Sequence, residues 1–64
     1  MMNTKYAIPD AEFARGFDYV DNAVKGLAPA EKLKWGRSQR YRLSLALGGM
    51  WNRGVAHGLA AHGL

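Results

Sequence analysis

Phe13, Phe17, Val20 and Val24 recur at intervals of four, three and four. That spacing joins them into one apolar stripe only on an α-helix. The stripe predicts a first helix over about residues 11–25. Asp10 is placed to cap its free amides, with Glu12 adding negative charge near the positive end of the helix dipole. Pro9 disfavours helical geometry at Ile8, so residues 1–8 are expected to form a short N-terminal arm, with Tyr6 and Ile8 able to pin it. Arg15, Asp18, Asn22 and Lys25 fall opposite the stripe, Asp21 and Lys25 form an i,i+4 pair, and Gly26 is the expected left-handed stop. The stripe also makes Phe13 and Phe17 the expected core anchors.

Pro29 suits the first position of a second helix, where its missing amide costs nothing. Residues 29–47 read either as one helix that tolerates or bends at Gly36, the preferred reading, or as two with a break at 36–38 and Ser38 capping the second. Continuity would align Trp35, Gln39, Leu43, Ala46, Leu47 and Met50 on one side and Lys34, Arg37, Arg40 and Tyr41 on the other. Gly48 and Gly49 end the element, since each costs about 1 kcal/mol relative to alanine inside a helix. A third helix over about 50–61 carries Trp51, Val55 and Leu59 at four-residue spacing, beside Gly54 and Gly58. The chain is therefore expected to be one all-α domain of three helices over residues 1–64, a bundle or an irregular arrangement, with no sheet and with sequential helices antiparallel.

Sixty-four residues enclose only a small core, and without cysteine there is no disulfide or thiolate to supplement it. Missing cysteines and the lack of an apolar leader behind Met1 favour a cytoplasmic protein. His57 and His62 are five residues apart, which denies them the shared helix face a metal pair needs. GGMWNRG lacks the lysine and Ser/Thr of a phosphate loop, and no Ser, His and Asp grouping is recognisable. No enzyme activity, metal or cofactor is expected.

Charge is the strongest functional signal. Of nine cations and five acids, residues 1–31 hold three cations and every acid, while residues 32–64 hold six cations and no acid. Such a division marks either an internal match between an acidic and a basic helix or a cationic surface for an anionic partner. The cations Lys32, Lys34, Arg37, Arg40 and Arg42 interleave with Trp35 and Tyr41, and arginine and aromatic residues are the side chains that protein hot spots favour.

The expected function is a small basic protein-binding module, of the accessory or inhibitor kind, that covers an acidic surface or groove of a partner protein. Its candidate residues are Lys34, Trp35, Arg37, Arg40, Tyr41, Arg42 and Arg53. Two alternatives draw on the same residues. The 32–42 segment could hold nucleic acid by phosphate contacts and stacking, and a helix-turn-helix with its turn at Gly36 would let Gln39, Arg40 and Arg42 read bases. The basic helices could also lie on an anionic membrane surface, although the interrupted C-terminal stretch does not span a bilayer. Self-association into a homo-oligomer is expected through Trp51, Gly54, Val55, Gly58 and Leu59, because the glycines permit close backbone approach.

Overall fold

The computed structural model describes the backbone of residues 4–64 and the side chains of residues 11–64. Three helices follow in order: α1 (Thr4–Val24), α2 (Pro29–Ser44) and α3 (Met50–Ala61), with no strand among the described residues. The all-α three-helix class and the span of α3 agree with the sequence, but two boundaries move.

Helix α1 starts at Thr4, so residues 4–8 extend the helix instead of forming an arm, and Asp10 lies inside it rather than at its cap. Pro9 sits far enough from the start that its missing N–H removes one backbone bond of the helix. The proposed pins, Tyr6 and Ile8, lie outside the described side chains. Helix α2 runs unbroken through Gly36 but stops at Ser44, three residues short of the expected Leu47. Gly48 and Gly49 have φ of 101° and 106°, a region that side-chain-bearing residues avoid, so the chain turns there as the sequence indicates.

Several helix ends carry recognisable stops. Gly26 takes a φ of 78° after α1, and the Leu27 amide returns to the Val24 carbonyl. Pro29 opens α2, and the Glu31 carboxylate accepts from the Ala28 amide at 2.9 Å. Helix α3 ends in a Schellman motif: Gly63 has a φ of 72°, its amide donates to the Ala60 carbonyl, and the Leu64 amide donates to the Leu59 carbonyl at 2.8 Å. This turn carries Leu64 back onto α2, where it packs against Gly36. A glycine in mid-helix is thereby explained, since a methyl group at position 36 would stand 2.9 Å from Leu64 Cβ.

The main interface joins α1 to α3 rather than sequential neighbours. Phe13 meets Gly54 and His57, Gly16 meets Trp51 and Val55, Val20 meets Gly58, and Asp21 meets His62. Positions along the two helices therefore increase together, and α1 and α3 are parallel. Helix α2 returns antiparallel, with Gly36 beside Leu64 and Arg42 near Asn52. The molecule measures 45 × 25 × 13 Å. Helix α2 packs across the α1–α3 pair, reaching α1 through Trp35 and Tyr19 as well as α3.

Glycine explains why α1 and α3 pair most closely. Gly16, Gly54 and Gly58 are all buried, and the two backbones approach where side chains are missing, whereas Trp35, Gln39 and Leu43 hold α2 farther off. The core formed beside this contact consists of Val20, Val24, Val55 and Leu59. Full burial of each such side chain contributes about 1.5–3 kcal/mol.

Phe13 and Phe17 are corrected from core anchors to half-buried flanks. Their rings stack 6.4 Å apart, and Phe13 lies 5.1 Å from the His57 ring. Two helices separated only by glycines leave too little room between them for a phenyl ring, so both rings are displaced to the side.

Candidate binding surface

Helix α2 carries most of the expected site, and the structure divides it. About 100° of rotation per residue places Lys34, Arg37 and Tyr41 on one outward strip, and all three are exposed. Tyr41 is 67% exposed, with Leu33 beside the same strip at 54%. Arg40 is on one flank, where its Nε donates to the Leu64 backbone oxygen at 3.4 Å. Arg42 is on the other flank, turned toward α3.

Trp35 does not belong to the outward surface. Its ring is 5.9 Å from Tyr19, which in turn is 5.3 Å from Trp51, so one aromatic from each helix meets at a common junction. Offset and tilted pairs of this kind add about 0.5–1.5 kcal/mol beyond area burial. Arg53 is exposed on the side of α3 away from its buried residues and does not join the α2 strip.

The acidic and basic halves meet at Asp21 and His62 rather than along α2. Among the described residues the ion pairs are Arg15 with Glu12 and His62 with Asp21, each at 2.7 Å. Neither involves α2. Asp21 faces α3 and pairs with His62 rather than with Lys25. Among the described residues no α2 cation lies within ion-pair distance of a carboxylate, although Lys32 lines one cleft with Asp18 and Asp21 of α1.

The helix-turn-helix is also excluded as drawn. No turn interrupts α2 at Gly36, and Gln39, assigned to base reading, is only 7% exposed.

The residues expected to self-associate are largely occupied within the chain. Gly54, Val55, Gly58 and Leu59 are buried in the domain. The Phe13 carbonyl oxygen stands where a Cβ on Gly54 would lie, and a Cβ on Gly58 would be 2.9 Å from Val20 Cβ. Trp51 alone among the five keeps appreciable exposure, at 39%. The close approach anticipated for two copies is made between α1 and α3 within one chain. Gly16 is the complementary glycine, and its signal was present in the sequence: a small residue next to the Phe13–Phe17 stripe.

Apolar surface missed by the sequence reading lies just beyond α2. Leu45 and Leu47 are 66% and 104% exposed. Early termination of the helix moves Leu47 from the expected inward side to the linker. No described helix is long and apolar enough to cross a membrane.

A cavity of about 320 Å³ lies between α2 and α3, lined by Tyr19, Gln39, Arg42, Leu43, Trp51, Asn52 and Val55. It opens on the Arg42 flank, about 100° around the helix from Tyr41. Comparison with family models, with curated proteins and with solved structures gives no match.

Proposed function

We propose that this protein is a binding module that uses the outer strip of α2 to cover an acidic surface or groove on a partner protein. The observation carrying this reading is that Lys34 and Arg37 have no carboxylate partner among the described residues while Tyr41 and Leu33 stand exposed beside them. A phosphate track needs cations but gains little from exposed leucine. A helix seated in a protein groove uses both, with apolar residues supplying burial and cations supplying orientation and encounter rate. Helix α2 packs less closely on the other two than α1 and α3 pack on each other, which leaves much of its circumference available.

The test is capture from a nuclease-treated lysate with the wild type, Tyr41→Ala and Arg37→Ala, beside titration with mixed DNA and RNA at two salt concentrations. Retention of the same protein by the wild type and its loss with either variant supports the proposal, because hot-spot energy concentrates in few residues. Tight nucleic-acid binding with a steep salt slope shared by Lys34, Arg37 and Arg40 overturns it in favour of a phosphate surface.

A further inference from the structure

We infer that the cavity between α2 and α3 is a second, separate site, which takes a single carboxylate flanked by an amide. Gln39 is the reason to look there. The residue is only 7% exposed, lines the cavity, and its side chain takes part in none of the hydrogen bonds among the described residues. A buried primary amide without partners is unfavourable, and native structures rarely leave one. Its geometry offers one acceptor and one donor pair side by side, which another amide complements in both directions.

The remaining walls narrow the ligand further. Arg42 supplies one guanidinium, unpaired among the described residues and able to grip a carboxylate through two parallel hydrogen bonds. One cation balances one negative charge, so a monocarboxylate suits the site better than a phosphate dianion. Asn52 donates through Nδ2 to the Gly48 carbonyl at 2.6 Å, which fixes the side chain and leaves Oδ1 free to accept from a ligand N–H. Tyr19 and Trp51, tilted at 47° to one another, give an apolar wall for a flat group. The volume is at the small end of ligand sites, which run from about 300 to 1,000 Å³. An acylated acidic amino acid has this chemistry, and so does a glutamate or aspartate within an extended peptide.

The site does not depend on the outer α2 strip, since a partner covering Lys34 and Tyr41 leaves the Arg42 flank open. The experiment titrates the intact chain by NMR with glutamate capped as N-acetyl and C-terminal amide. Its comparators are equally capped glutamine, adenosine monophosphate and a heptapeptide with a central glutamate. Saturable shifts of the Trp51 indole N–H and the Gln39 side-chain amide are expected with capped glutamate. Binding should fall about tenfold or more for capped glutamine and for Arg42→Gln, as expected when a charged hydrogen bond is lost. Arg42 is exposed, so its variant should keep the fold, and circular dichroism confirms this. Tighter binding of the heptapeptide assigns the carboxylate to a protein ligand, and equal binding assigns it to a free small molecule. The inference is overturned if no probe saturates at millimolar concentration, if capped glutamine binds as well as glutamate, or if the nucleotide binds more tightly.

Discussion

Gly16 of α1 and Gly54 of α3 flank one helix crossing, each facing the other helix's backbone. The Trp51 carbonyl oxygen occupies the place of a Cβ on Gly16, and the Phe13 carbonyl oxygen the place of one on Gly54. Because both obstacles are backbone atoms, an added methyl group requires the helices to separate. Gly16→Ala should therefore destabilise the domain by at least about 1–3 kcal/mol, even though alanine favours a helix by roughly 1 kcal/mol. Chemical denaturation followed by circular dichroism measures this, and an unchanged midpoint would show that α1 and α3 do not cross there.

Gly36→Ala supplies the contrast. Its new methyl group meets only Leu64, at 2.9 Å from Cβ, so that residue must be displaced as a whole at the end of the α3 turn, while the helix gains about 1 kcal/mol of propensity. Its stability should stay within about 1 kcal/mol of the wild type in the same denaturation experiment. A loss as large as that of Gly16→Ala would mean that the Leu64 contact is rigid.

Core truncations should rank by burial rather than by ring size. Leu59→Ala removes a side chain with 0% exposure and should cost about 2–5 kcal/mol, enough to unfold so small a domain. Phe13→Ala, on the half-buried flank, should cost less. Thermal melts that reverse this order would restore the phenylalanines as anchors.

Gly58→Leu separates internal packing from self-association. If the glycine served contact between two copies, the variant would be a folded monomer. Because a side chain there collides with Val20, the expected result is lost helicity instead. Sedimentation together with circular dichroism distinguishes the two outcomes.

Tyr41→Ala should leave stability within about 0.5 kcal/mol of the wild type and the melting temperature nearly unchanged, since it is an exposed position outside the core. Any loss of partner binding in that variant then reports the interface and not the fold. A melt shifted by several degrees would place Tyr41 in the structural framework.

Periodicity made the helices legible because Phe13 to Val24 and Trp51 to Leu59 are local patterns, and the glycine pair at 48 and 49 marks a stop without reference to anything distant. The partners of those patterns were not legible. Nothing local distinguishes Phe17 as a flank from Phe17 as a centre, because that depends on how closely α3 approaches, and the distance is set by Gly16, Gly54 and Gly58 acting across the fold. The outward placement of Lys34, Arg37 and Tyr41 followed from spacing alone. The separation of Arg42 from them, and the burial of Gln39 beside it, depend on where α3 lies.

Parallel pairing of the first and third helices also sets an order of events in folding. Asp21 and His62 are 41 residues apart, and the buried apolar partners of Val20 and Val24 are Val55 and Leu59. Closing so long a loop must precede the contacts that reward it, which makes this helical domain slower to fold than one built from adjacent hairpins. During synthesis α1 and α2 emerge with their apolar sides uncovered. The first forty residues wait on the last dozen, and until α3 is complete the chain offers a chaperone or protease an unfinished protein.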